Sequence, residues 1–443
     1  MRFRPSAIGL VVLTAAAAVP ARAQFSFDAR RIGMAGVSLH RDGDLQRYNA
    51  AYRAAPKGKN DQGGLTIPIP LGILQAIKDS NITFDTKDPN FNPIAIANLI
   101  LNPPIFYQIK KPPTPTNDIA IGVGKDSLSI DLGLAKALIP QDRFAFGGSS
   151  RLMDIGFGIK GVRLSVFAFI EEDIGVDLSD TLRAFLRNGS QAHDTTSYDL
   201  LPSGRAQAGF APSLGWAGKI AGPDPDHGLY LGANVHRYFG VAYAQGGGVA
   251  GLRTGSPIFG DSVSVTPEGS VVYRFTNHPG KHFGTGTGGD VGLVVIQGPI
   301  EFGLGVNDIG ATLTWPQTEI DSVAYDTASN KFVKTVLDSN AQSKSKLPVS
   351  YLGNVTYHTG DITFGVNILN SGRGTTVHVG AEKRFGPLAL RGGVARDRRK
   401  QIQFGWGGGV RLGFLGLDVG FATTSQNLSS ERGIVMATSL TIY

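Results

Sequence analysis

"QFGWGGGVRLGF", residues 403–414, sorts its side chains by parity. Phe404, Trp406, Val410, Leu412 and Phe414 fall on one face; Gln403, Gly405, Gly407, Gly409, Arg411 and Gly413 fall on the other. A period of two is a strand signal, because successive side chains of an extended chain point to opposite sides. The small face holds too little side chain to build a core. Glycine there lets strands curve and leaves room in a lumen. The large apolar face is then the outer one, turned to lipid, and the Gly/Arg face lines an interior.

The same alternation recurs through the last hundred residues. Tyr351, Val355 and Tyr357 share a face, as do Ile362, Phe364, Val366 and Ile368. Val377, Val379 and Ala381 oppose His378, Glu382 and Arg384; Leu388, Leu390 and Val394 oppose Arg391; Leu417, Val419 and Phe421 oppose Asp418. Tight connections at 359–361, 385–387 and 414–416 alternate with looser ones, "NSGRG", "RDRRK" and "TSQNLSSERG". That is the pattern of an up-and-down antiparallel sheet. Earlier candidate strands are 153–160, 162–177, 206–219, 228–243, 288–297 and 300–316, with one more somewhere in 117–149. The fold class read from this is all-β: a transmembrane antiparallel up-and-down barrel of about fourteen strands with an N-terminal plug. Residues 244–287 read as an external excursion with its own hairpin, "SVSVTPEGSVVYRF"; if that hairpin joins the wall the count becomes about sixteen. The competing fold is a soluble β-sandwich, which would bury the apolar face.

Composition agrees with a barrel. Of 443 residues 60 are glycine, 17% are charged and none is cysteine, so disulfides, thiolate metal sites and a lipoprotein anchor are excluded. Arg2 and Arg4, the run "AIGLVVLTAAAAVP" and "ARA" at 21–23 read as a signal peptide, residues 1–23, with the mature chain starting at Gln24. The apolar run is too short for a membrane helix. Loss of Arg2, Arg4 and Arg22 takes the formal charge from +7 to +4, spread along the chain, so no nucleic-acid partner is indicated. After the leader no apolar stretch is long enough for a membrane helix, so a membrane protein with this sequence must be a barrel. The domain division expected is signal 1–23, a plug or cap segment with the first connections at 24–115, and the barrel at 116–443. Segment 24–115 is rich in Pro, Asn and Asp and of mixed periodicity, too irregular to be wall throughout.

"DARRIGMAGVSLHRDGDLQRYNAA", residues 28–51, resembles the start of the mature FadL-like and PorV-like outer-membrane barrels. The Gly-Met-Gly-Gly-like part reads Gly33-Met34-Ala35-Gly36. The Tyr-Asn-Pro-Ala-like part reads Tyr48-Asn49-Ala50-Ala51, without the proline. "GGDVGLVV" and "GPIEFGLGVNDIGATLTW" are similar to a mid-barrel hairpin of the same superfamily. The resemblance implies a barrel of about fourteen strands around an N-terminal plug. The terminal aromatic, Tyr443, looks like an outer-membrane assembly signal. It is one residue out of register with Ile434, Met436, Leu440 and Ile442. The resemblance also implies a bacterial outer-membrane location in a Gram-negative cell. The C-terminus would be periplasmic and the segments 178–205, 318–346 and around 371 and 398 external.

Gly33, Met34, Gly36, Tyr48 and Asn49 are the candidate plug motif: the glycines permit close backbone approach, and Tyr48 and Asn49 can bond wall groups. Candidate lumen-facing residues are Phe167, Phe169, Tyr230, Tyr238, Glu382, Arg384, Arg391, Arg411 and Asp418, with the charged ones expected to pair across strands. "IEEDIGVD" at 170–177 reads as a solvated acidic rim, with a cation site as the alternative. "RDRRK" at 396–400 reads as a turn or a contact to lipopolysaccharide phosphates. "GTGTGG" at 284–289 has dinucleotide-loop spacing but leads into a strand, and "HPGKH" at 278–282 places two histidines across Pro-Gly rather than on a helix. "GDSVS" at 260–264 has no partner histidine for its serine.

No catalytic set, cofactor or metal site is expected. The function expected is passive uptake of small hydrophobic molecules. The alternative is a PorV-like structural or secretion-associated barrel with a secretion-system protein as partner. Other partners expected are outer-membrane lipid and lipopolysaccharide.

Overall fold

The computed structural model describes residues 29–39, 43–56, 65–69, 105–109, 120–124, 127–131, 143–146, 149–188, 192–259, 263–370, 372, 374–396, 402–423 and 432–442. The leader at 1–23, residues 397–400 of "RDRRK", Gly260–Ser262 of "GDSVS" and Tyr443 lie outside them. No helix among the described residues is long and apolar enough to cross a membrane.

The described residues form twenty strands: β1 (Leu65–Ile69), β2 (Ile105–Ile109), β3 (Ala120–Gly124), β4 (Ser127–Asp131), β5 (Phe144–Phe146), β6 (Ser149–Ile159), β7 (Val162–Leu178), β8 (Ser197–Asp224), β9 (His227–Phe259), β10 (Val263–Phe275), β11 (Gly284–Gln297), β12 (Ile300–Asp326), β13 (Lys331–Lys346), β14 (Ser350–Thr359), β15 (Ile362–Asn370), β16 (Thr375–Phe385), β17 (Leu388–Arg396), β18 (Ile402–Leu412), β19 (Leu415–Thr423) and β20 (Arg432–Ile442). Among them β3 and β4 pair with each other, and the other 18 make one antiparallel sheet.

Four wall strands are split into collinear pieces. β5 and β6 lie end to end along β7. β10 and β11 both lie between β9 and β12. β13 and then β14 follow β12, and β1 and then β2 follow β20. The 18 strands therefore occupy fourteen wall positions. The fourteenth comes from β1 and β2, inside the segment read from sequence as plug and connections. The strand expected within 117–149 is β5, and it only prolongs β6. Residues 263–275 do not form a hairpin of their own: β10 runs as one strand, pairing with β9 from Val263 to Phe275. Two expected external loops are likewise largely sheet, since β8 begins at Ser197 and β12 continues to Asp326 before β13 returns. The helix Asp180–Asn188 occupies part of the remainder of the first.

One end of the barrel is closed by two-residue turns at 160–161, 225–226, 298–299, 360–361, 386–387 and 413–414. Gly386 and Gly413 take φ of 61° and 62°, as the tight hairpin turns that match strand twist require. The Pro225-Asp226 turn lacks glycine. Asp224 Oδ1 instead accepts the backbone N–H groups of Asp226 and His227 at 2.9 and 2.8 Å. A further hydrogen bond from the His227 ring holds the Asp224 carboxyl below its ordinary pKa.

The parity seen in residues 403–414 is the parity of the wall. Trp406 is 42% exposed and Leu412 72%, on the outside, while Gly405 is buried on the inside. Val379 in β16, Leu390 in β17 and Leu417 in β19 continue the outer apolar band. An outward arginine near mid-bilayer costs about 2–4 kcal/mol in such barrels. Val379→Arg is expected to lower stability by about that amount in urea unfolding from lipid bilayers, with Gln403→Arg, on the inner face, costing far less. Equal small effects would contradict a lipid-facing outer band.

Candidate lumenal site

Residues 29–39 and 43–56 lie inside the sheet. They comprise the helix Ala29–Ile32, a turn through Gly36, an extended stretch Val37–Leu39, the helix Gly43–Tyr48 and the 3-10 turn Ala50–Arg53. Their backbone reaches the wall because the wall presents glycine to it. A Cβ on Gly405 would sit 2.6 Å from the Ile32 carbonyl, and one on Gly292 2.8 Å from the Ala50 nitrogen. Gly365 faces Leu39, Gly380 and Gly393 face Met34, and Gly420 faces Ala29. From Gly215 in β8, beside Arg53, to Ala437 in β20, beside Ala29 and Ile32, this one short segment touches eleven consecutive wall positions. A flat sheet of eleven strands would be about 50 Å wide at ~4.8 Å per strand, far too wide for that. The sheet is curled around the segment.

Polar links fix the segment at both halves. Arg30 donates to Glu382 at 3.0 and 3.1 Å. His378 Nδ1 donates to the Ala35 carbonyl at 2.7 Å, which sets the ring's tautomer because a carbonyl only accepts. Gly36 sits at φ 94°, and a Cβ there would meet the His378 ring at 2.8 Å; both facts exclude a larger residue. Met34 is fully buried against the wall. Asn49 Nδ2 donates to the Leu293 carbonyl at 3.0 Å while its Oδ1 accepts from Ala51 N. Tyr48 is tied through its carbonyl, which accepts from Asn307, and its ring lies under Arg31. Arg53 donates to Asn234 at 2.6 Å, and Asn354 donates to the Tyr52 hydroxyl. Leu45, Ala51 and Tyr52 pack on Tyr230, Val294 and Ile296 of the wall.

Three charge clusters occupy the lumen, beside the separate pairs Arg143–Asp173 and Arg163–Asp154. In the first, Glu382 takes Arg30, Arg384 (2.8 Å) and Arg391 (2.6 Å), and Arg391 goes on to Asp418 at 2.5 Å. In the second, Arg151 makes a two-pronged bond to Asp290 at 2.7 Å and reaches Asp308 at 2.7 Å. Asp290 also accepts from Asn234 and from His236 Nε2 (2.6 Å), and Asp308 from Tyr238. Asn234 joins this cluster to Arg53 and so to the inner segment. In the third, Glu171 accepts from Arg205 and Gln207; Gln207 accepts from Ser345, which accepts from the Trp315 indole N–H. Glu171 is fully buried, so residues 170–177 are not the solvated rim that the sequence suggests; they run up the wall with Glu171 and Asp173 pointing inward. No group of metal-ligating side chains with cation geometry occurs among the described residues.

An aromatic layer separates the second and third clusters. Phe167 and Phe169 set their edges against Tyr238 at centroid distances of 6.2 and 5.4 Å, and Trp315 stacks on Tyr243 at 5.1 Å. Arg151 lies 4.7 Å over the Phe167 ring. Tyr230 sits lower, against the inner segment. Arg411 stands at the turn-closed end, where it donates to the Gly413 carbonyl at 3.3 Å. Asp290, Asp308, His236 and Trp315 are the members that the sequence does not single out, and Glu171 reads there as part of a solvated rim. Asp290, in "GGDVGLVV", and Asp308, in "GVNDIG", are carboxylates inside otherwise small and apolar runs, and that was the available signal. "GTGTGG" is the first part of β11, and "HPGKH" lies in the link between β10 and β11 with both histidines exposed.

No protein-family model and no curated protein matches the chain. Solved structures similar to it include the toluene transporter TbuX of Ralstonia pickettii, at 14% identity and a TM-score of 0.31 over 71% of this chain and 95% of that one. A FadL homologue of Pseudomonas aeruginosa is similar at 14% identity and 0.32, over 63% and 78%. The toluene transporter TodX of Pseudomonas putida is similar at 10% and 0.27, over 73% and 96%.

Two substitutions probe the site. Gly405→Leu is expected to expel residues 29–39 and expose Arg30 and Arg31 to trypsin while the barrel stays folded by heat-modifiable gel mobility; full protection would refute the close approach. Asp290→Asn strands Arg151 and His236 and is expected to cost about 3 kcal/mol in urea unfolding, a loss that Asp290→Asn with Arg151→Met recovers in part.

Proposed function

We propose that the protein is a passive outer-membrane channel for small hydrophobic molecules, with residues 29–56 as the plug of its lumen and no catalytic role. The observation that carries this reading is what the lumen leaves available. Its carboxylates Glu171, Asp290, Asp308, Glu382 and Asp418, with Asp173 and Asp154 beside them, are each paired with an arginine, so little is left to recognise an ionic solute. Phe167, Phe169, Tyr238, Tyr243 and Trp315 form a packed apolar layer between the second and third clusters, which an uncharged apolar solute can enter by displacing rings. Passage needs displacement of packed groups, and the plug is held by discrete polar links and side-chain packing rather than by the hydrogen-bond ladder of the sheet. The proposed orientation puts the tight turns and the C-terminus in the periplasm. The long-stranded end then faces outward, where the basic stretch 396–400 would meet lipopolysaccharide.

A protein partner is the second reading, and one feature favours it. β13 pairs only with β12 among the described residues, and Phe332, Val336 and Leu337 near its tip are all exposed. An open strand edge is a template for an added strand. Capture of one secreted protein by wild type but not by a chain lacking 327–337 would favour that role.

Arg30→Ala with Arg53→Ala, cutting a link at each end of the plug, is expected to raise the flux of an apolar fluorescent probe into proteoliposomes several-fold over wild type. The exposed-turn variant Lys160→Ala is expected to leave it unchanged. Unaltered flux in the double variant would overturn the plug role.

A further inference from the structure

We infer that the barrel carries a second apolar binding site, outside the lumen, for an uncharged aromatic molecule of one or two rings. It is a trough on the outer face of β7–β10 at the long-stranded end. Its cavity is about 570 Å3, within the roughly 300–1,000 Å3 usual for small-molecule sites.

The register shows how the trough is made. Ile174 stands beside Gly204, Gly204 beside Gly246, and Gly246 beside Tyr273. One row away Ala206 stands beside Ala244 and Ala244 beside Phe275. Residues in such cross-strand rows share a face. The floor, on β8 and β9, is thus glycine and alanine. One wall is Ile174 and Val176 of β7, and the other is Tyr273 and Phe275 of β10. Those two rings lie nearly parallel, 5.9 Å apart. Pro279, in the link between β10 and β11, closes the lower end. The lumenal residues at this level, Glu171, Asp173 and Arg205, belong to the opposite parity and point the other way.

The trough does not face the bilayer core. The exposed apolar band of β8 centres near Leu214, with Phe210 and Ile220 at its edges. The trough floor at Gly204 is ten residues further along. At ~3.3 Å per residue and ~40° tilt that is about 25 Å from the middle of the band, beyond its ~12 Å half-height. Lipid tails therefore do not account for an apolar surface there. The opening is two strands wide and walled on one side by rings, which suits a flat aromatic solute through edge and face contacts. Charge at the trough is confined to its edges: Glu172 stands buried beside Ala206, Asp321 beside Tyr273 is held by Lys334 at 2.7 Å, and Arg205 and Arg274 have the lumenal parity, so the floor and the ring wall suit an uncharged solute.

The test is equilibrium binding and does not depend on transport. Prodan, an uncharged two-ring naphthalene derivative whose fluorescence rises in apolar surroundings, is titrated into the protein in lipid nanodiscs, with empty nanodiscs subtracted. Wild type is expected to show one saturable site. Gly204→Leu fills the floor without a backbone clash, since a Cβ there meets Ile174 Cγ1 at an ordinary 3.5 Å. It and Ala244→Leu are each expected to weaken binding at least tenfold. Phe275→Ala, which adds no bulk, is expected to weaken it several-fold and serves if the filled variants do not fold. Absence of saturable binding to wild type, or undiminished binding to the folded variants, would overturn the site.

Discussion

The constraint on which this structure depends is that a closed sheet must fill its own interior, and here the filling is the chain's N-terminal segment laid against glycine. Close-packed interiors tolerate few voids. A fourteen-position wall leaves a lumen wider than wall side chains alone would need to fill, and residues 29–56 take up that space. They approach so closely that Gly292, Gly393, Gly405 and Gly420 have no room for a Cβ without moving the inner segment's backbone or its Met34 and Asn49 contacts. The glycine face that opens the question in residues 403–414 is therefore a docking surface for the protein's own chain. Position by position, outer bulk and inner absence of bulk serve two solvents: lipid on one side and packed backbone on the other.

Charge follows from the same enclosure. A carboxylate or guanidinium in a narrow, mostly dry lumen is costly unless paired. Glu382 with Arg30 and Arg391, and Asp290 with Arg151 and His236, meet that requirement, each with several hydrogen bonds. The pairs also join wall to inner segment through Arg30 and, by way of Asn234, Arg53. Loosening the segment thus disturbs the electrostatics of the wall, which couples occupancy of the lumen to its polarity.

Much of the wall was legible in the sequence, because Phe404, Trp406 and Val410 or Leu388, Leu390 and Val394 alternate without interruption. What escaped has physical causes. β1 and β2 are five-residue pieces separated by a long insertion, and a short strand carries too few periods to stand out. The upper halves of β8, β9 and β12 were read as loops because they leave the lipid: Gly246, Gly247 and Gly248 or Glu319 and Asp321 no longer need an apolar outer face, so the alternation fades while pairing continues. A one-residue irregularity in β9 between Gly240 and Ala242 also reverses its parity, so that Tyr238 and Tyr243 both point inward. Among the named lumenal residues, Phe167, Phe169, Tyr238, Glu382, Arg391 and Asp418 could be placed by parity. Their partners could not, since Arg30 and Glu382 are 352 residues apart and only the closed barrel brings them together.

The central claim is that the segment inside the lumen controls passage through it. The chain has no cysteine, so a single engineered pair reports unambiguously. A Cβ at position 380 would lie 3.2 Å from that of Met34, close to the ~3.5–4.5 Å of a disulfide. The decisive measurement is the flux of an apolar probe through Met34→Cys/Gly380→Cys protein in proteoliposomes, first oxidised and then reduced. Flux that falls on oxidation and returns with reductant is the result expected. Flux indifferent to the bond, once its formation is verified, would mean that molecules cross without moving the segment.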